Sequence, residues 1–166
     1  MFKKLLLFAL LALPVGVFAQ EIKIAYVNTQ EIFNNMPETS AMEIAIANLN
    51  QTYTNELKAM EDEYKKKYSE FIEQADSLPE SIKVRRMQEV QDLQQKTETF
   101  YQHARQEVQK KQQELLAPIQ KKITDAIKLI GEENDFTYVL EEGAFLYVSA
   151  KSINATQLVK TKLGLK

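Results

Sequence analysis

The residues of this chain that could carry out chemistry are few and widely spaced. His103 is the only histidine among 166 residues and there is no cysteine, whereas a zinc site takes three or four His, Cys or carboxylate ligands. A serine or cysteine nucleophile would need the same His103 as its base. The glycines Gly16, Gly131, Gly143 and Gly164 lie too far apart to form a loop that cradles phosphate. The sequence therefore predicts a protein that is not an enzyme and uses no cofactor.

The first nineteen residues differ in kind from the rest of the chain. Lys3 and Lys4 precede an apolar run at 5–13, which is followed by Pro14 and a Val-Phe-Ala finish at 17–19. This order is typical of a secretory signal peptide, and the run is shorter than the roughly 20 apolar residues of a membrane-spanning helix. Residues 1–19 are therefore predicted to be a signal peptide that is cleaved after Ala19.

The mature chain, residues 20–166, carries a small negative charge. Lys3 and Lys4 are two of the 21 basic residues, so 19 remain against 23 acidic ones, a net charge of −4. This balance argues against a nucleic-acid partner, since no strong basic field is available to attract one. Without disulfides, stability must come from packing, long helices or self-association.

Residues 38–118 are predicted to form an arm of two long antiparallel helices. No Gly or Pro occurs from 38 to 75, and the apolar residues recur in steps of four, three and four. The resulting eleven-residue period favours a nearly straight helix pair. In an antiparallel pair, residues that face each other have numbers with a constant sum. The apolar positions of the two helices match with a sum of about 157, as Leu57 and Phe100 do. The tip of the hairpin lies near 76–80. The first-helix positions are Met42, Ile46, Leu49, Tyr53, Leu57, Met60, Tyr64, Tyr68, Phe71 and Ala75.

The segment before the arm, residues 20–37, is predicted to begin a small β-rich body. Residues 21–27 alternate between apolar and other residues, a pattern that indicates a strand with one buried side. Asn28 and Glu31 have the spacing of a capping box, so a short helix should follow. The buried side of the strand is predicted to carry Ile22, Ile24 and Tyr26.

Residues 119–166 are predicted to complete this body with a helix, two strands and a C-terminal helix capped by Asn154. The first helix should end at Gly131, and the strands 136–140 and 144–148 should pair as a β-hairpin. The strand 144–148 is apolar on both faces, and so small a body cannot cover it, which predicts self-association. The side chains assigned to this oligomerisation body are Ile22, Ile24, Tyr26, Phe136, Tyr138, Phe145 and Tyr147. The fold class is α+β, mainly α, with the arm inserted into the body.

Several short motifs, taken in order, resemble the Skp (OmpH-like) family of periplasmic outer-membrane-protein chaperones. They are Ile24-Ala25-Tyr26-Val27-Asn28, Ile32-Phe33 before Pro37-Glu38, Leu115-Leu116-Ala117-Pro118-Ile119, the strand 136–140, Leu146-Tyr147 and the segment 153–163. The resemblance covers essentially the whole mature chain. It implies a jellyfish-like homotrimer whose helical tentacles enclose a cavity. It also implies a periplasmic holdase that binds unfolded outer-membrane proteins without ATP.

The arm departs from its relatives in charge. Residues 56–92 hold 7 basic and 10 acidic residues, whereas the tentacle tips of relatives are strongly basic, so contact with anionic membranes is not expected. Candidate client contacts are apolar residues beside the helix pairing, namely Ile72, Val84 and Tyr101, for which ordinary surface apolarity is the alternative. The alternative function is a structural envelope adaptor that docks its hairpin tip onto a folded coiled coil through Leu78 and Ile82.

Overall fold

The computed structural model describes residues 22–165, and the predicted signal peptide lies outside them. The elements are β1 (Ile24–Val27), α1 (Thr29–Asn35), α2 (Pro37–Gln74), α3 (Glu80–Glu133), β2 (Tyr138–Glu141), β3 (Ile153–Asn154) and α4 (Thr156–Lys162). Short 3-10 turns occupy Ala75–Ser77 and Glu142–Ala144. The prediction of a mainly helical α+β chain with long helices and a small sheet is confirmed. None of the helices in this part of the chain is long and apolar enough to cross a membrane.

The arm consists of α2 and the facing part of α3, residues 80–118. Near its root Lys122 contacts Glu38, at mid-length the rings of Tyr53 and Phe100 meet edge to face at 5.8 Å, and near the tip Arg86 donates to Gln74 at 2.7 Å. Residue numbers rise along α2 while they fall along α3, so the two helices are antiparallel. The 38 residues of α2 give the arm a length of about 57 Å.

The seam between the two helices follows the eleven-residue apolar series. Met60 and Phe71 of α2 and Val90 and Ala104 of α3 are buried. Of the other predicted positions on α2, only Tyr68 is exposed, and it stacks on Tyr64 with ring centroids 6.0 Å apart. Most seam residues stay half-buried because two helices have no third element to cover their flanks.

The two prolines at the root of the arm act differently. Pro37 occupies the first turn of α2, where its missing N–H removes no helical hydrogen bond. Pro118 lies inside α3, which continues to Glu133, so the arm helix and the body helix predicted on either side of this proline are one continuous helix. The helix survives the lost bond because the residues beyond it are held in the core, with Ile119 and Ile123 both buried.

The register of the arm can be tested by crosslinking. Cysteines at Leu57 and Phe100, in a chain that has none, should form an intrachain disulfide under mild oxidation, because residues whose numbers sum to 157 should face each other. A control pair at Lys58 and Tyr101 should react less readily, since its β-carbons point away from the seam. Non-reducing gels after a short oxidation measure both yields, and equal or reversed yields contradict this register.

The three strands form a parallel sheet in the order β2-β1-β3. Ile24 of β1 is paired with Tyr138 of β2, and Tyr26 of β1 with Asn154 of β3. The predicted β-hairpin of 136–140 with 144–148 is therefore wrong. The turn after β2 is a 3-10 turn, and residues 145–149 form no strand. Both partners of β1 are more than a hundred residues away in sequence, a distance that local turn residues do not reveal.

The core of the base lies between the sheet and the helices, where the base means the three strands, α1, α4 and residues 119–133 of α3. Ala25 and Val27 of β1 face this core, and the predicted burial of Ile22, Ile24 and Tyr26 on the opposite side is wrong for a single chain. Small side chains on β1 let the helices approach the sheet closely. The buried cluster is Ala25, Val27, Ile32, Met36, Ile119, Ile123, Ala126, Ile130, Ala155 and Val159.

Asn28 joins three separate parts of the base. Its side-chain carbonyl accepts from the Glu31 amide at 2.7 Å, as the capping box predicts, and its side-chain amide donates to Glu142 at 2.6 Å. Its backbone N–H donates to the Thr156 hydroxyl at 3.0 Å. Because these bonds connect α1, the turn after β2 and α4, Asn28 fixes the end of the sheet at which the helices begin.

Two further predictions concern the C-terminal end of α3, expected at Gly131, and the start of α4, expected to be capped by Asn154. Gly131 does not end its helix, because α3 continues to Glu133 and the left-handed conformation falls on Asp135, with φ of 54°. Aspartate is one of the few residues besides glycine that tolerate this region. Asn154 accepts from the Thr156 amide at 2.9 Å at the start of α4. Lys160 of α4 is buried and is paired with Glu31 at 3.0 Å.

Candidate functional site

The outer side of the sheet is an uncovered apolar surface, called here the open face and made of Ile24, Tyr26, Tyr138 and Leu140. The parallel register places Ile24 beside Tyr138 and Tyr26 beside Leu140. Ile24 is 47% exposed and Tyr138 is 57% exposed. Sequence reasoning missed Leu140, which parallel pairing with Tyr26 would have revealed. Clustered apolar side chains on a small sheet are typical of surfaces that contact another protein.

The segment after β2 adds further apolar side chains to the outside of the base. Leu146 and Tyr147 are strongly exposed, while Phe145 is half-buried. The prediction of a strand at 144–148 is wrong, because residues 145–149 form no strand, whereas the burial of this segment against another subunit stays a prediction. Phe136 packs against the chain's own core. Of the seven residues predicted for the oligomerisation body, Ile22, Ile24, Tyr138 and Tyr147 are therefore the exposed ones.

The three candidate client residues are all exposed on the arm but do not form one patch. Ile72, Val84 and Tyr101 are 54%, 61% and 46% exposed. Val84 and Tyr101 lie 17 positions apart on α3, which corresponds to roughly 26 Å along a helix. The arm thus offers separated apolar contacts along its length rather than a single binding pocket.

Three ion pairs join neighbouring charges along the same helix of the arm, and one of them is Lys111 with Glu114. Glu61 lies 3.9 Å from Lys65 and Glu89 lies 3.7 Å from Arg85. His103 is exposed. In the described part of the chain no three His, Cys, Asp or Glu side chains are grouped so as to hold a metal ion. The electrostatics of the arm therefore favour weak contacts of either sign.

An ion pair between Glu38 and Lys122 fastens the root of the arm. Glu38 lies in the first turn of α2 and Lys122 follows Pro118 in α3. The hydrogen bond from Lys122, and next the backbone hydrogen bond, hold the pKa of Glu38 below its usual value. Both side chains are more than a third exposed, so solvent screening limits the contribution of the pair to about 1 kcal/mol or less.

The contribution of this pair should depend on pH. Because the pKa of Glu38 is lowered on folding from 4.5, the stabilisation is present above that unfolded value and is lost as the pH falls through the folded value. A double-mutant cycle with Glu38→Gln and Lys122→Gln should give a coupling of up to about 1 kcal/mol at neutral pH and none in strong acid. Urea denaturation at both pH values measures it. A coupling that persists in acid contradicts this assignment.

These features define a class of protein that carries a long two-helix arm on a small α+β base. The family model described as outer membrane protein (OmpH-like) matches residues 23–163, and the chain belongs to this OmpH-like family. The predicted resemblance is thereby confirmed.

Two kinds of relative are similar to the chain. A protein named chaperone protein Skp from Photorhabdus laumondii is 29% identical over 157 residues, covering 92% of each chain. The Skp chaperone of Yersinia enterocolitica is 26% identical over 153 residues, covering 92% of this chain and 93% of its own. A crystal structure of an OmpH-like protein of Caulobacter crescentus is similar to the chain with a TM-score of 0.76 at 11% identity, covering 86% of this chain and 83% of its own. This last likeness concerns the fold.

Proposed function

We propose that the protein is a periplasmic holdase chaperone that binds unfolded outer-membrane proteins between the arms of a homotrimer, without ATP. The observation that carries this proposal is the arm itself, about 57 Å long, with apolar side chains exposed at several points along it. An unfolded chain has apolar side chains at many points and no fixed shape. Many weak contacts along a long arm suit such a client better than one pocket of fixed shape.

Several arms are needed if they are to enclose a client, and the base offers the surface for that assembly. The open face leaves Ile24 and Tyr138 about half exposed, at 47% and 57%. Burying one such side chain stabilises an interface by roughly 1.5–3 kcal/mol. Relatives named as Skp chaperones match over nearly their full length, which supports the same kind of function for this chain.

Suppression of aggregation tests the proposed function. The full mature chain should keep a denatured outer-membrane β-barrel protein soluble after dilution from urea, in the absence of ATP. Turbidity and sedimentation measure the soluble fraction, with an equal mass of an unrelated helical protein as the control. Unchanged aggregation of the client in the presence of the protein rejects the holdase function.

Salt should have little effect on this binding. The arm is net acidic at 56–92, and exposed charges act over a Debye length of only ~10 Å at about 0.1 M salt. The affinity for an acidic unfolded client should therefore change less than about threefold between about 0.1 M and 0.5 M salt. Fluorescence titration measures it, and a variant with Glu61, Asp62 and Glu63 replaced by lysine should gain affinity at low salt only. A large loss of affinity with salt in the unmodified protein would show that its basic clusters steer clients.

A further inference from the structure

One flank of the arm contains a groove that both helices line. Its apolar walls are Tyr53 and Leu57 of α2 and Tyr101, Ala104 and Val108 of α3, around a volume of about 300 Å³. This volume lies at the lower end of the range for ligand sites, so the groove suits one or two side chains rather than a folded partner. The edge-to-face contact of Tyr53 with Phe100 fixes one wall of the groove.

The polar rim of this groove carries a single positive charge. Arg105 is the only charged residue that lines it, beside Asn50 and Gln109. Among residues 22–165 Arg105 makes no ion pair, in common with Lys110 and most other basic residues of the arm, so its guanidinium is available to a ligand. An exposed guanidinium has a fork of donors suited to a carboxylate.

The amide side chains of the rim complement an extended backbone. Asn50 and Gln109 each offer both a donor and an acceptor, which are the groups that the peptide units of an unfolded chain require. A charged region nearer the tip is different, because Glu63, Glu89 and Asp92 there lie with Lys67 and Lys96. The mixed signs in that region give no net preference for one charge of ligand.

We propose that this groove is a binding subsite for an extended polypeptide segment in which an aromatic or large aliphatic side chain lies next to an aspartate or glutamate. The apolar side chain enters between Tyr53, Leu57 and Tyr101, and the neighbouring carboxylate accepts hydrogen bonds from Arg105. This assignment rests on the proposed holdase function and adds a sequence preference to it. On an acidic arm, the groove selects client segments that the remaining surface does not attract.

Labelled peptides with the full mature chain test the assignment. Three flexible peptides of Gly, Ser and Asn carry repeated Phe-Asp, Phe-Lys or Ala-Asp pairs, and fluorescence anisotropy measures their affinities. The Phe-Asp peptide should bind about three- to fivefold more tightly than the Phe-Lys peptide, as expected for one exposed ion pair. It should also bind more tightly than the Ala-Asp peptide, because alanine cannot fill the groove.

Charge reversal distinguishes the groove from general electrostatics. Arg105→Glu should reverse the order of the Phe-Asp and Phe-Lys peptides, while Lys110→Glu, an identical charge change at an exposed position on the same helix, should preserve the order. Circular dichroism checks that both variants fold. The assignment is overturned if Arg105→Glu leaves the order of the Phe-Asp and Phe-Lys peptides unchanged, or if Lys110→Glu reverses that order equally. It is also overturned if the Ala-Asp peptide binds as tightly as the Phe-Asp peptide. If the unmodified protein suppresses client aggregation but peptide affinity depends neither on the Phe-Asp pair nor on Arg105, only the groove assignment fails. Failure to suppress aggregation rejects the holdase function itself.

Discussion

Replacing Ile24 and Tyr138 together by glutamate should dissociate the proposed trimer into single chains. The two side chains are neighbours on the open face and are 47% and 57% exposed in one chain. If a partner subunit covers them, each contributes roughly 1.5–3 kcal/mol per chain to association, and buried unpaired carboxylates would cost more. Multi-angle light scattering at micromolar concentration should give about three chain masses for the unmodified protein and one for the variant.

The control for this experiment is Val84→Glu on the arm. Val84 is apolar, like Ile24, and 61% exposed, but it lies near the tip of the arm and far from the sheet. Its replacement should therefore leave the mass measured by light scattering unchanged. Circular dichroism confirms that the helices persist in both variants. A monomeric unmodified protein, or dissociation caused by Val84→Glu, contradicts the proposed assembly through the base.

Replacing Ile32 by alanine should strongly destabilise the base. Ile32 has no exposed surface and lies in α1 within the core cluster. Removing its side chain loses apolar burial and leaves a cavity, which together lower the free energy of unfolding by about 2–5 kcal/mol. Urea denaturation measures this loss, and the protein concentration is held fixed because the proposed self-association would add to the apparent stability.

Ile44→Ala is the matched control, since it makes the same change on the neighbouring helix. Ile44 is 60% exposed, so its replacement should change the free energy of unfolding by no more than about 0.5 kcal/mol. A loss at Ile44 comparable to that at Ile32 would therefore indicate that another chain covers it.

The arm could be predicted from the sequence because its pattern is local. Each apolar position lies three or four residues from the next, and the buried residues Met60, Phe71 and Ala104 all fall on the predicted series. The resemblance to the OmpH-like family was also readable, since its motifs keep their order along the chain. Exposed apolar positions such as Val84 were recognisable as lying off that series.

The sheet could not be predicted in the same way because its pairing is non-local. Residues 144–148 have the composition of a strand, yet β1 pairs with Ile153–Asn154 instead, and Glu142 in the intervening turn is held by Asn28. Alternation along β1 defined two faces without showing which one meets the helices. The small side chains of Ala25 and Val27 decided that question, leaving Ile24 and Tyr26 on the side away from the core.

The position of β1 at the centre of a parallel sheet has a consequence for the order of folding. The hydrogen bonds of Asn28 to Glu142 and of Lys160 to Glu31 join residues 114 and 129 positions apart. Contacts between residues so far apart in sequence form slowly during folding. Once the arm has formed, its root holds Glu38 beside Lys122, and the remaining loop from Asn28 to Glu142 is several times shorter. This shortening lowers the entropic cost of closure by about 1 kcal/mol. The arm should therefore form first and the base second. Until the C-terminal strands are in place, β1 has no partner strand. A chain truncated after the arm would keep the helical arm but expose β1 as an unpaired apolar strand.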